Sequence, residues 1–310
     1  MYNKAVRLLT ARAISNLTGC CTRSEEVKLM VATLVFAGIA PHPPLLVPEI
    51  GGHRISKVER SFKAMQDFSR RLLEADPETI VLISPHSPLD WHAFTTRADA
   101  ELYGDFRQFD AGQVRLKFNN DLELVNAIGK EAEAAGVPFK TYGRSYLLDH
   151  GAMVPLYFLA EAGWRGPVVV LAFSGLSIGT HVEFGRCITR AAEKLGRRIA
   201  VVASGDLSHR LIPTAPAGYE PEAYRFDQLV TDSVARGDCK EIIEMDPDLR
   251  ELAGECGYRS IAIALGSIDE KPVNNCVLSY EGPYGVGYLV AILAEGLSQS
   301  AVKEQSIGGL

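Results

Sequence analysis

The sequence predicts a single α/β domain, a three-layer α/β/α sandwich around a mixed, largely parallel sheet. Three observations predict it. Short runs that are apolar throughout, Leu34 to Ala40, Ile80 to Ser84, Pro167 to Phe173 and Ile199 to Ser204, read as buried strands. Stretches with apolar residues at helical spacing follow or separate them. No repeat, low-complexity tract or linker divides the chain.

Taken in order, residues 1–29 stand apart. They carry Lys4, Arg7, Arg12, Arg23 and Lys28 against Glu25 and Glu26, without an apolar stretch of signal-peptide length. They read as a flexible N-terminal extension, or as the product of an upstream start, since Met30 directly precedes the first strand. The domain itself is expected over 30–297, with a tail at 298–310. Leu34 to Ala40, the helix Val58 to Glu74 and Ile80 to Ile83 make a β-loop-α-β unit. Trp91 to Phe118 alternates aromatic and polar residues without helical period, so short strands and loops covering a site are expected there. Asp121 and Gly136 bracket a helix as N-cap and C-terminal stop. Helices follow at His181 to Leu195, Glu222 to Ala235 and Cys256 to Ile268. Strands near Val273 to Tyr280 and Tyr288 to Leu293 complete the sheet.

The 310 residues contain 47% hydrophobic residues, ample for a sizeable core. A net charge of −6 without long blocks of like charge argues against a nucleic-acid surface and leaves a small molecule as the default partner. The longest apolar stretches, Val31 to Ala40 and Val286 to Ala294, fall short of the roughly 20 residues of a membrane span. Six cysteines without a CxxC pair point to a reducing, cytoplasmic setting without disulfides.

Chemistry gathers where strands end. The first strand runs into Pro41-His42-Pro43-Pro44, whose prolines fix φ and remove donors, so that His42 is held in one orientation. The next ends Ser84-Pro85-His86-Ser87-Pro88. Two adjacent strands of one unit are thus expected to deliver histidines at the carboxyl edge, where open α/β sheets bind ligands, and imidazole is both a common metal ligand and a common base. A fourth strand ends Gly205-Asp206-Leu207-Ser208-His209, with Asp206 or Ser208 able to orient the His209 ring. Asp149-His150-Gly151 opens the apolar run Ala152 to Leu159. His53, His92 and His181 lack such junctions and are expected to face solvent or cap helices.

The segments APHPPLL (40–46), SPHSP (84–88), LDHGAMVPL (148–156), SGDLSHR (204–210) and AGECG (253–257), in that order, resemble the B-type catalytic chain of the class III extradiol ring-cleavage dioxygenase family. With SYEGPYGVGYLVA (279–291) the chain is similar to the branch found in AmmeMemoRadiSam proteins, related to Memo-like proteins. The resemblance covers Val31 to Glu295. It implies a non-haem Fe(II) site with His42 and His86 as metal ligands, His209 as catalytic acid/base and His150 as a pocket residue for substrate or oxygen. It further implies a small aromatic diol and O₂ as reactants, and a homo-oligomer or a separate AmmeMemoRadiSam-type partner. For the third ligand, Glu255 is expected and would complete an oxygen-rich iron site. Cys256 is the alternative and would make a softer centre suited to zinc or copper, as in the Memo-like relatives. Adjacent side chains diverge by roughly 100° on a helix, so one of the two faces the metal. A metal-dependent hydrolase is the third reading of such a site.

Overall fold

A computed structural model describes residues 33–143 and 147–296. The expected extension at 1–29 and tail at 298–310 lie outside them. Ten strands are described: β1 (Leu34–Ala40), β2 (Thr79–Ser84), β3 (Phe94–Arg97), β4 (Glu101–Phe106), β5 (Ala111–Asn119), β6 (Phe139–Tyr142), β7 (Val168–Ala172), β8 (Ile199–Ser204), β9 (Cys276–Glu281) and β10 (Tyr288–Glu295). The helices are α1 (Pro48–Gly51), α2 (Glu59–Glu74), α3 (Leu122–Ala134), α4 (His150–Glu161), α5 (Ile178–Leu195), α6 (Tyr224–Arg236), α7 (Cys239–Ile243), α8 (Pro247–Ala253) and α9 (Tyr258–Ser267).

Eight strands form one mixed sheet in the order β6-β3-β7-β2-β8-β1-β10-β9, and β4 pairs with β5 in a separate hairpin. The four central strands β7, β2, β8 and β1 are mutually parallel, with antiparallel pairs toward both edges. Central strands are buried along their whole length because each face carries its own apolar layer. Val81, Ile83, Val201 and Ala203 meet residues of α3, α5, α6 and α9 on one face. Ile80, Leu82, Ala200 and Val202 meet Met65, Phe68 and Leu72 of α2 and Met153 and Leu156 of α4 on the other. The three-layer sandwich read from the sequence is the fold observed.

The histidine-bearing strands β1 and β2 are successive in the chain but are not neighbours in the sheet, because β8 fills the slot between them. Val201 of β8 pairs with Ala37 of β1 and with Val81 of β2, and Ala40 pairs with Ser204. The three parallel strands therefore end level. Their carboxyl-end loops, carrying His42, His86 and the Gly205-Asp206 turn, leave the sheet side by side.

The apolar run after Asp149 forms α4. The Asp149 carboxylate accepts from the Ala152 amide as N-cap, and Ala152 through Leu159 are all buried. Pro155 lies inside this helix. Lacking an N–H, it leaves the Gly151 carbonyl without its helical donor. That orphan acceptor is taken up by Ser204, at the end of β8.

Candidate metal centre

His42 is the second residue beyond β1 and is 2% exposed. Its backbone amide donates to Asp206 Oδ1 at 2.9 Å, which ties the Pro41–Pro44 loop to the turn after β8. Its Nδ1 stands 3.0 Å from Ser204 Oγ, and that hydroxyl donates at 2.5 Å to Gly151 O, the carbonyl freed by Pro155. A carbonyl carries no proton, so the only hydroxyl proton of Ser204 is committed there. Ser204 must then accept from His42 Nδ1–H. The tautomer is fixed by its neighbour, and the lone pair of His42 is left on Nε2.

His42 Nε2 faces His86 Nε2 at 3.1 Å and Cys256 Sγ at 3.6 Å. Among the described residues, the donor atoms of His42, His86 and Cys256 lie within 4.8 Å of one another, the one group of three that could hold a metal ion. Donors sharing one ion at ordinary metal–nitrogen and metal–sulfur bond lengths and tetrahedral angles stand about 3.3 Å (N to N) and about 3.6 Å (N to S) apart. The two separations from His42 Nε2 match within about 0.2 Å, and the chemistry of two imidazoles and a thiol fits a metal.

Glu255, the expected third ligand, is not in this group. Its Oε2 accepts from the Tyr258 amide at 2.6 Å, at the first turn of α9, and its carboxylate lies against the side of the loop where Arg250 and Arg259 stand. The cause is a tight meeting of two turns. Cys256 N and Gly257 N both donate to Asp206 O, the Asp206 amide donates to Cys256 Sγ at 3.3 Å, and a Cβ on Gly205 would fall 2.2 Å from Gly257 Cα. With the backbone pinned to Asp206 through these contacts, the thiol faces inward and the carboxylate outward.

Electrostatics favour neutral ligands. Burial, then the neighbouring imidazoles His86, His150 and His209, hold His42 well below the ordinary histidine range. Burial lowers His86, His150 and His209 as well. Burial and the nearby Asp206 carboxyl push the Cys256 thiol well above its usual value, so without a cation it keeps its proton. Burial also raises Asp206 to about 7.

His150 and His209 complete the surroundings. The His150 ring stacks on His86 with centroids 4.3 Å apart and meets His42 edge-on at 5.4 Å. Gly151 permits this approach, since a Cβ there would lie 2.6 Å from Ser84 Oγ and 3.1 Å from the His86 ring. Phe109, from the turn between β4 and β5, meets His150 edge-on at 5.6 Å, so the region expected to cover a site does reach it. Burial, and then the nearby His86, lower the affinity of His209 for a proton, against the Leu207 and Gly254 backbone groups beside its ring. Neither Asp206 nor Ser208 orients that ring. The first is taken by the His42 amide and the second donates to Ala253 O.

Sequence reasoning passes over the polar groups that brace the ligands. Asp149 accepts from Ser84 Oγ and Ser87 Oγ at 2.5 and 2.7 Å and so holds the His86 turn. Ser204 sets the His42 tautomer. Their signal is a serine or aspartate beside each histidine motif, too common to single out. His181 is the other correction: it is fully buried, with Nδ1 donating to Ser177 O at 2.8 Å and Nε2 accepting from the Ser174 amide at 3.4 Å, and it fastens the turn between β7 and α5 instead of facing solvent. His53 and His92 are exposed.

A family model described as the catalytic LigB subunit of aromatic ring-opening dioxygenase matches residues 37–291, a span that includes every residue of this site. The chain belongs to the LigB family. Among curated relatives, Protein CA_C1420 of Clostridium acetobutylicum is 34% identical over 258 residues, which are 81% of this chain and 55% of that protein. This LigB chain therefore spans about half the length of that relative. The 2-aminophenol 1,6-dioxygenase alpha subunit of a Pseudomonas species is 26% identical, covering 83% of this chain and 98% of the relative. The 3,4-dihydroxyphenylacetate 2,3-dioxygenase of Escherichia coli is 24% identical over 75% and 88%. In structure, the LigB fold here superposes on the crystal structure of an uncharacterised protein, JW3007, of Escherichia coli K12, with TM-score 0.57, 18% identity and coverage of 83% and 98%.

Proposed function

We propose that this LigB chain is a metal-dependent oxidoreductase of the ring-opening dioxygenase type, acting on a small aromatic diol or aminophenol with O₂. The observation that carries the proposal is the convergence of Cys256, from the turn before α9, on His42 and His86 at the level ends of β1 and β2, with His150 and His209 beside them. His42, His86 and Cys256 would hold the ion, and a bound redox metal such as Fe(II) would supply the electron transfer that lets O₂ react with a closed-shell ring. The protein groups do the rest. His209, uncharged at neutral pH and close to His86, would take a proton from a substrate hydroxyl and return it as product forms. The stacked face of His150, backed by Phe109, bounds the space beside the ligands and orients the ring of the substrate. His42 is buried, whereas His86 is exposed and opens the group to solvent and to substrate. Relatives named as alpha and beta subunits of one dioxygenase support association with a second copy or a different subunit, and the sequence motifs support a place in the AmmeMemoRadiSam branch.

Cys256 favours a second reading, a Memo-like metal-binding protein that does not open rings, because a thiolate with two imidazoles selects zinc or copper over iron. One experiment separates the two. Full-length protein purified without oxygen is assayed for bound iron, zinc and copper, then mixed with catechol, 3,4-dihydroxyphenylacetate or 2-aminophenol in air while the visible absorbance of a ring-opened product is followed. Iron with turnover supports the dioxygenase; zinc or copper with none supports the second reading; no metal of any kind refutes both.

A further inference from the structure

Behind the Cys256 loop lies a second polar site. Arg210, Arg250 and Arg259 line a hollow of about 530 Å³ together with Gly254, Glu251 and Glu255. The three arginines come from different elements: Arg210 from the loop after β8, Arg250 from the last turn of α8 and Arg259 from the first turn of α9. Each has a buried Nε without a hydrogen-bond partner, and among the described residues none lies within ion-pairing distance of a carboxylate. Buried guanidinium donors left unpaired are costly, so three around one hollow call for an explanation.

Two of the guanidinium planes are held by stacking, which uses none of their donors. Arg250 Cζ lies 4.6 Å over the Tyr258 ring and Arg259 Cζ 5.6 Å over the Phe173 ring. Stacking covers the face of a guanidinium and leaves its edge free for an oxyanion. Arg210 is fixed by one bond from Nη1 to Glu251 O at 3.3 Å and by contact with Gly254, where a Cβ would fall 2.9 Å from Arg210 Nε. Two carboxylates also line the hollow. Glu255 is already engaged by the Tyr258 amide, and Glu251 is exposed at the rim. Three cations against these two leave an excess of positive charge and a set of forked donors.

We infer that the hollow formed by Arg210, Arg250 and Arg259 is an oxyanion-binding site for a carboxylate or a phosphate. Such a group would accept from the Nε and Nη edges in the bidentate manner suited to arginine. The hollow adjoins the centre through the backbone of residues 253–256, with His209 N donating to Ala253 O at 3.0 Å. Two sources share this chemistry: an acidic group on an aromatic ligand, and a free inorganic or phosphorylated anion.

The test is calorimetric titration of the full-length, metal-loaded protein with inorganic phosphate and, separately, with phenylacetate, which has a carboxylate but no diol to chelate a metal. Binding of at least one probe is expected, weakened about tenfold or more by Arg250→Gln and by Arg259→Gln. Preference for phenylacetate identifies an aromatic acid as the source, and preference for phosphate a free anion. Should either glutamine variant fail to fold, Arg259→Lys keeps the charge and loses the fork, and is expected to weaken binding severalfold while retaining the circular dichroism spectrum. Absence of binding by both probes, or affinity unchanged in every folded arginine variant, overturns the site. The proposed ring chemistry is untouched by that result, because the titration needs no turnover.

Discussion

Cys256 Sγ stands 3.6 Å from His42 Nε2, while the carboxylate of the adjacent Glu255 turns away to hold the Tyr258 amide. Two neighbouring residues that both carry ligand atoms are thus separated in role by one backbone turn. The expected outcome is asymmetric. Cys256→Ser weakens metal binding by more than the roughly 10–100-fold typical of losing an outer partner of a ligand, whereas Glu255→Gln, which still offers an oxygen to Tyr258 N, retains full stoichiometry. Elemental analysis of both variants after dialysis decides it. Metal lost from Glu255→Gln and kept by Cys256→Ser would return the carboxylate to the centre.

Ser204 links the fold to the metal site. It donates to the carbonyl that Pro155 leaves free and so obliges His42 to place its lone pair on Nε2. Ser204→Ala removes the partner of Nδ1 and lets either tautomer form. Metal affinity is expected to fall about 10–100-fold, measured by competition with a chromogenic chelator, and the unfolding midpoint to fall too, because the buried Gly151 carbonyl loses its donor. An unchanged affinity would mean that the loop prolines alone orient the ring.

How far the sequence carries follows from these residues. Buried parallel strands are apolar from end to end, so β1, β2, β7 and β8 and the histidines that follow them stand out without any knowledge of neighbours. Strand order does not, because the insertion of β8 between β1 and β2 rests on pairing across more than a hundred residues. Which of Glu255 and Cys256 faces His42 is equally closed to sequence. It turns on the contact of Gly205 with Gly257 and on the hydrogen bonds to Asp206, all between residues about fifty positions apart. His181 reads as an exposed residue at a helix start, and only the return of α5 over the β7 turn buries it. Local pattern reveals elements; side-chain direction in loops depends on what packs against them.

His209 and His150 stand beside the His42–His86–Cys256 group without belonging to it. If His209 moves a proton, His209→Ala should keep its metal and lose about 10²–10⁴-fold in kcat, the usual contribution of one acid/base group. His150→Ala should also keep the metal while raising KM for the aromatic substrate, since it removes a ring surface and not a donor. Steady-state kinetics beside metal analysis distinguishes the two roles. Wild-type rates in His209→Ala would remove it from the reaction.

The last prediction concerns stability. Burial lowers the pKa of His181 to about 4, although the Ser177 and Ser174 carbonyls oppose the shift. The folded state thus keeps this ring neutral at pH values where an unfolded chain, with an ordinary histidine near 6.5, takes up a proton. Below about 6.5 the unfolded state binds more protons, so this residue's contribution to stability is complete above 6.5 and is lost progressively down to about 4. Between pH 7 and pH 5 that loss amounts to about 2 kcal/mol. Buried carboxyls such as Asp227, raised to about 7, act in the opposite direction across part of this range, so the comparison must be made against a variant. His181→Gln cannot titrate but can still donate to Ser177 O. Urea unfolding of both proteins at pH 7 and pH 5 should show a stability difference between the two pH values that is about 2 kcal/mol smaller in the variant. Equal differences would show that His181 gains its proton in the folded state as readily as in the unfolded one.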